Sequence, residues 1–381
     1  MGDTSVKVLI TGGAGFIGSN LAKRLLKENC EVRILDNFSE QIHGTNKSLD
    51  ESLEGVELIV GDIRDKETVS ASLNGIDTVV HLAAETGTGQ SMYEIEHYEK
   101  TNVLGTLNII EHLLQKENSV KKIVVASSRA IYGEGAYFSK EHGEVFPTER
   151  FEKDLTKGAF DLRCPHTSEF LEPTATKENA APNPLSFYAL TKQVQEQMII
   201  MYSKILGISG YALRYQNVYG PGQSLSNPYT GIMAIFSTLA RKDQRIKVFE
   251  DGKQSRDFVY IDDTVNATWN CISPERQGVG IFNVGTGIPT SIVQVANLIV
   301  KHLKSGSEIE VTGQYRIGDI RHNYADLSKA KKDLSFSPNV AIEDGLKEFL
   351  DWAKEQPIPE LGFKSSLDEL SKIGLLKKSS S

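Results

Sequence analysis

"VKVLITGGAGFIGSNLAKRLLKEN" occupies residues 6–29, and its reading decides the fold. A short β-branched run stops at a turn carrying Gly12, Gly15 and Gly18, and Ile17, Leu21 and Leu25 then recur at helical spacing. The same alternation continues outward: "VRILD", "VELIVGD", "IDTVVHLAA" and "KKIVVASS" read as further strands, with a helix expected over "YEKTNVLGTLNIIEHLLQ". Near-continuous apolar strands separated by helices indicate an α/β fold, a doubly wound parallel sheet covered on both faces. From 133 to 187 the pattern dissolves into a long polar insertion, expected to be a lid or an added subdomain. Regular elements resume with the helix "YALTKQVQEQMIIMYSKIL" and the strand "GYALRY". Later come "RIKVFEDG", "RDFVYIDD", "GIFNVG", a helix at 291–303 and a last amphipathic helix, "IEDGLKEFLDWAKEQ". The expected division is a dinucleotide-binding domain over 1–215 that also receives 257–285, a smaller mixed α/β substrate domain over 216–356, and a loosely attached tail over 357–381.

Composition narrows the function. With 39% hydrophobic and 24% charged residues, the chain has the balance of a soluble globular enzyme. A net charge of −8 with no long basic run argues against a nucleic-acid partner. No stretch approaches the ~18 apolar residues of a membrane span, so no membrane partner is expected. The N-terminus runs straight into a strand without a signal-peptide core, and Gly2 lies too close to that strand to be read as an acylation site. Cys30, Cys164 and Cys271 are odd in number and widely spaced, which speaks for a reduced, cytoplasmic chain rather than a disulfide framework. Cys164-Pro165-His166 resembles half of a zinc knuckle, but no second cysteine follows, and no metal is expected.

The glycine turn is the first candidate site. Glycines after the first strand let the backbone approach a pyrophosphate, which then sits on the positive N-terminus of the helix. Phe16 and Ile17 open that helix, and Asp36, followed by Asn37, ends the second strand. A carboxylate there accepts hydrogen bonds from the adenosine ribose and repels a 2′-phosphate, so the expected cofactor is NAD rather than NADP. Asp62 and Ile63, ending the third strand, are expected to border the adenine.

With "TGGAGFIG", "HLAA", "TNVLGT", "SSRAIYG", "YALTK", "LRYQNVYGPG" and "RDFVYIDD" in this order, the chain resembles the extended short-chain dehydrogenase/reductases, over roughly residues 5 to 350. Within them it is similar to the nucleotide-sugar epimerases and dehydratases. The stretches "AAETGTGQSMYEI" and "NVYGPGQSLSNPYTGI" look most like the dTDP-L-rhamnose 4-epimerase branch.

The resemblance implies a Rossmann domain binding NAD, with Leu82, Ala83, Ala84 and Asn102 also at the cofactor site. It implies catalysis by Ser128, Tyr188 and Lys192. Chemistry supports that set, because Tyr-x-x-x-Lys on a helix puts both side chains on one face. A tyrosine with pKa ~10 is a poor base at neutral pH. A nearby ammonium and a positive nicotinamide both favour the phenolate. In the resembling dehydratases the catalytic Ser or Thr is followed by Asp-Glu, whereas here Arg129 and Ala130 follow. Neither does acid–base work at neutral pH, so dehydration is disfavoured. Arg129 is expected to contact the sugar, a carboxylate such as Glu85, or the insertion.

A nucleoside-diphosphate sugar is the implied partner. Arg256, Arg316 and Asn217 match positions that hold the diphosphate, with Arg321 as an additional contact and Val248 and Phe249 beside the base. Sugar contacts are expected from Glu85, Thr86 and the rest of Glu85–Ser91, from the insertion, and from Leu225–Thr230. The implied activity is 4-epimerisation: oxidation to a bound 4-keto sugar, rotation, and re-reduction. The rivals are a UDP-hexose 4-epimerase, a 4-keto-sugar reductase, and a non-catalytic dinucleotide sensor. A homodimer through helices near 97–115 and 188–206 is also implied.

Overall fold

Seven parallel strands form the central sheet of the computed structural model, in the order 279–284, 209–215, 122–128, 78–81, 7–11, 31–36, 57–60. The structure describes residues 5–45, 47–164, 166–227, 229, 231–359 and 363–380. The side-chain period of a strand explains the core. Val8, Ile10, Ile34 and Val80 pack with Leu21 and Leu25 on one face of the sheet, toward helix Phe16–Lys27. Leu9, Leu35, Val79 and Val125 pack on the other, with Val69, Ile109 and Ile199 from helices Lys66–Leu73, Gly105–Leu113 and Phe187–Leu206. Each expected strand of the first half overlaps a strand of this sheet, the third and fourth being shorter than expected, and Val279–Val284 extends it as its last member. Strand order reverses between Lys7–Thr11 and Thr78–His81, which opens a crevice at their carboxyl ends, where such folds bind ligands.

The smaller part is built on strands 217–219, 255–260, 289–291 and 322–323, with the pair 246–248/309–311 beside them. The expected helix over 98–115 is interrupted by a π-helical turn, Glu99–Leu104, before it continues as Gly105–Leu113. Single π turns of this kind recur at functional sites.

Part of the insertion folds as a small sheet of its own. Strands 143–145, 137–139 and 172–173 make a three-stranded antiparallel sheet, and Tyr137, Leu162, Cys164 and Leu171 give it a small core. Pro165 of the Cys-Pro-His stretch lies outside the described residues, as does Gly2. The tail departs from expectation. Far from being loosely attached, it forms helix Phe363–Lys372 and strand Leu376–Lys378, which pairs antiparallel with Gln314–Arg316. Its leucines match a strand that lies more than fifty positions upstream, a distance at which local periodicity carries no signal. Among the described residues, no helix is long and apolar enough to cross a membrane.

Candidate active site

A cleft of about 530 Å³ runs along the carboxyl ends of the sheet. Gly12, Gly15, Phe16, Ile17, Gly18, Asp36, Asn37, Ile63, Leu82, Ala83, Ala84, Glu85, Thr86, Ser128, Arg129, Tyr188, Lys192 and Asn217 all line it. The glycines are structural necessities. A Cβ on Gly12 would stand 2.7 Å from the Ala83 nitrogen, and one on Gly18 2.5 Å from the Gly12 carbonyl oxygen. Gly12 also has φ +69°, the left-handed region that glycine alone enters freely. Asp36 does more than face the cleft: its carboxylate accepts from the Ala14 nitrogen at 3.0 Å and the Phe38 nitrogen at 2.9 Å, tying the second strand to the glycine turn.

Tyr188 stands in the first turn of helix Phe187–Leu206, whose N-cap Ser186 accepts from the Ala189 nitrogen and whose end is Gly207 in the left-handed conformation. Ser128 ends strand Lys122–Ser128, where its hydroxyl accepts from the Ala130 nitrogen at 3.1 Å. The helix is locked to that strand and to its neighbour Ser209–Tyr215 by a buried cluster around Glu196 that sequence reading missed. Arg214 donates to both carboxylate oxygens of Glu196, at 2.9 and 2.6 Å, while Ser127 donates to Glu196 at 2.6 Å. Arg214 also reaches the Tyr132 hydroxyl at 2.8 Å, which in turn donates to Asn283. Removing one partner of such a pair typically costs about 3–5 kcal/mol. The helix that carries Tyr188 and Lys192 is therefore anchored by charge, not only by packing.

Burial pushes the Tyr188 hydroxyl above its usual range, against which the Ser128 hydrogen bond and the Arg129 charge both act. Burial brings Lys192 down to about 7. Arg129 is brought down to about 10 by burial first and then by Arg256, with Asp319, Tyr188 and Glu134 opposing. Its electrostatic neighbours are thus Arg256 and Asp319. Glu85, the carboxylate considered for it, pairs with His97 at 3.0 Å.

Several expected residues lie elsewhere. Arg321 is fully buried and its guanidinium is consumed by Asp161, Glu250 and Asp251, at 2.7–2.9 Å. It is a structural cation and has no donor to spare for a diphosphate. Val248 is fully buried in the core, so its side chain does not border a base. Phe249 is half-buried and lies under the Arg316 guanidinium, 5.0 Å from ring to charge. Asp62 is off the cleft wall: Asn37 and Arg64 donate to it, and although burial opposes them they hold it at about 2. Asn102, on the π turn, stands behind the wall, where it binds the Glu85 backbone and Thr191. Arg256 donates to three backbone carbonyls and to Asp319 at 2.9 Å. Pro228 and Thr230 of the expected sugar stretch lie outside the described residues.

Of the remaining diphosphate candidates, Asn217 lines the cleft and Arg316 stands outside its lining. The Asn217 side-chain oxygen and the Arg316 Nε are buried without a hydrogen bond among the described residues. Among those residues no group of three or more His, Cys, Asp or Glu is placed to hold a metal ion.

Known proteins agree with this architecture. The dTDP-L-rhamnose 4-epimerase of Burkholderia thailandensis is 37% identical over 92% of this chain and 95% of its own. A putative UDP-glucose 4-epimerase of Methanocaldococcus jannaschii is 32% identical over 91% of this chain and 98% of its own. Among solved structures, the UDP-glucose 4-epimerase of Thermotoga maritima with UDP-glucose superposes with a TM-score of 0.74 at 28% identity, covering 92% of this chain and 99% of that one. The Thermus thermophilus UDP-glucose 4-epimerase complex with NAD gives 0.72 at 27% identity, covering 92% and 100%. Residues 8–156 and 165–285 match the NAD dependent epimerase/dehydratase family, and the chain belongs to it.

Proposed function

We propose that this protein is a nucleotide-sugar 4-epimerase that works with tightly held NAD, interconverting dTDP-L-rhamnose and its C4 epimer, dTDP-6-deoxy-L-talose. One observation carries the reading. Ser128, Tyr188 and Lys192 converge beside a cradle that only glycines can form, while the position after Ser128 holds Arg129 instead of an acid. The resemblance of the sugar-facing stretches and the Burkholderia relative support the dTDP-sugar. The Thermotoga complex favours a second reading, a UDP-hexose 4-epimerase.

The residues present fit NAD. Gly12, Gly15 and Gly18 leave the backbone bare for a pyrophosphate, and Asp36 and Asn37, lining the cleft beside them, would hold the adenosine ribose. NAD, when bound, supplies a hydride acceptor that becomes the donor for the return step. Tyr188 takes the C4 hydroxyl proton and gives it back, with Ser128 orienting the hydroxyl. Lys192 would hold the nicotinamide ribose and contribute positive charge. Arg316 and Asn217 hold the diphosphate, a tether around which the keto sugar turns to present its other face, while Arg256, whose NH1 and NH2 groups are committed to three backbone carbonyls and Asp319, braces the site from behind. Arginine's planar fork suits that task.

A homodimer fits the exposed side chains of the two expected helices: Leu107, Leu114, Met201 and Ile205 are 36%, 50%, 50% and 65% exposed. Three free cysteines fit a reducing, cytoplasmic setting. Incubation with dTDP-, UDP-, GDP- and CDP-sugars, with NMR analysis of the products, tests the function. Inversion at C4 of dTDP-L-rhamnose is expected, and absence of any C4 epimer from the whole panel overturns it.

A further inference from the structure

The C-terminal segment lies beyond about residue 350, where the family motifs stop, yet it reaches three parts of the substrate side at once. Glu369 Oε2 accepts from the Tyr93 hydroxyl at 2.8 Å and from the Tyr229 hydroxyl at 3.0 Å, and the two phenols are 3.2 Å apart. Tyr229 lines the cleft, and Tyr93 follows the stretch Glu85–Ser91. The two loops already meet: a Cβ on Gly87 would stand 2.9 Å from the Tyr229 Cβ. Leu370 is buried and packs against Gly89, where an added Cβ would lie 3.5 Å from it. Further on, Leu376 pairs with Arg316, the Leu375 carbonyl accepts from Ile317 at 2.9 Å, and Lys377 bonds Glu152 of the insertion. The Ser380 nitrogen donates to the Thr156 carbonyl at 2.8 Å, closing the circuit.

We propose that residues 363–380 are a strap that completes the sugar end of the cleft, with Glu369 as a positioning residue that sets the Tyr93 and Tyr229 loops for substrate. A carboxylate receiving two phenolic protons makes charge-assisted hydrogen bonds, which are short and directional. Burial, followed by Tyr229 and Glu369, pushes the Tyr93 hydroxyl up, so it stays a donor throughout the working range. The same segment braces the Arg316 strand from its other end. Glu369 contacts neither the glycine turn nor Tyr188, so it acts on how the sugar is held, not on proton transfer. This inference rests on the nucleotide-sugar reading above.

The test compares wild type with Glu369→Ala and Glu369→Gln, full-length. KM for dTDP-L-rhamnose (or UDP-glucose, if that is what wild type turns over) is expected to rise about 10-fold or more in Glu369→Ala, exceeding any change in kcat. Glu369→Gln, which keeps one acceptor, should fall in between. The inhibition constant of bare dTDP or UDP and the NAD content should stay at wild-type values, because Glu369 bonds neither the glycine turn nor Asn217. Hydrogen exchange at 85–93 and 225–231 should quicken in Glu369→Ala without sugar present. An unchanged KM, or equal weakening of sugar nucleotide and bare nucleotide, overturns the proposal. If wild type turns over no nucleotide sugar, the epimerase reading fails, and exchange alone decides the strap: unchanged exchange rejects it.

Discussion

Lys192 Nζ donates to Oε1 of Gln195 at 2.9 Å, and the same amide donates to Thr106 at 2.8 Å and meets His81 at 3.1 Å. His81 continues the chain to Thr11 at 2.8 Å. A buried polar relay thus runs beneath the cleft from the catalytic helix to the first strand. Burial, then the Lys192 charge, brings His81 down to about 3, so the relay carries a neutral imidazole.

Both groups make stability depend on pH in the same sense. Lys192, brought from 10.5 to about 7, and His81, brought from 6.5 to about 3, bind protons more weakly folded than unfolded. Their contribution is present above the unfolded values and is lost as pH falls. In NAD-stripped protein, Lys192→Met should therefore melt higher than wild type at pH 7, by the equivalent of about 1–3 kcal/mol. The gap should close toward pH 10. Thermal melts across that range check it, and a pH-independent gap would refute the assignment.

Tyr188→Phe should lose about 10²–10⁴ in turnover while retaining nucleotide-sugar affinity, since the phenolic oxygen acts only on the transferring proton. Calorimetric titration beside a turnover assay separates the two. Turnover within a few-fold of wild type would make Tyr188 structural.

Arg129 is the cation that acts on Tyr188, after burial and the Ser128 hydrogen bond. A base works as phenolate, so the rate rises with pH through its pKa. Taking away the positive charge raises that pKa. Arg129→Met should move the rising limb of the pH–rate profile upward, and Arg129→Lys should restore part of the shift. An unmoved limb would leave Arg129 to the sugar alone.

Asp36→Ala removes an acceptor for the ribose and also two backbone bonds that shape the glycine turn. NAD content should fall by the equivalent of two charge-assisted hydrogen bonds, each about 1.5–3 kcal/mol. The dinucleotide released on denaturation is the readout, with NADP as the comparison. Wild type retaining NADP as well as NAD would contradict the role given to this carboxylate.

Hydrogen at C4 travels as hydride and never meets solvent, whereas dehydration or epimerisation beside a ketone exchanges a carbon-bound proton at C5 or C3. Neither Arg129 nor Ala130 supplies a base for that exchange. Product formed in D2O should carry no ring deuterium by NMR. Deuterium at C5 or C3 would reveal a base elsewhere in the cleft.

The amino-acid sequence by itself determined the doubly wound sheet, the glycine cradle with Asp36, and the convergence of Ser128, Tyr188 and Lys192. The sheet, the glycine cradle and the Tyr188–Lys192 pair depend on neighbours within a turn of helix or a few strand residues, where periodicity, glycine geometry and one-turn spacing operate, whereas Ser128 was joined to that pair by the family resemblance alone. Tertiary structure decided what happens to the charges. Arg321 matched a ligand-binding position, but Asp161 lies 160 positions away and takes its guanidinium. Asn102 and Asp62 were legible as site residues yet turn to Glu85 and Arg64 instead of the cleft. Glu369 reads as one more acid on an amphipathic helix until the chain returns it to Tyr93, 276 positions distant. Long-range pairing depends on where the backbone brings two groups together and how much water it leaves between them, and no local pattern encodes either.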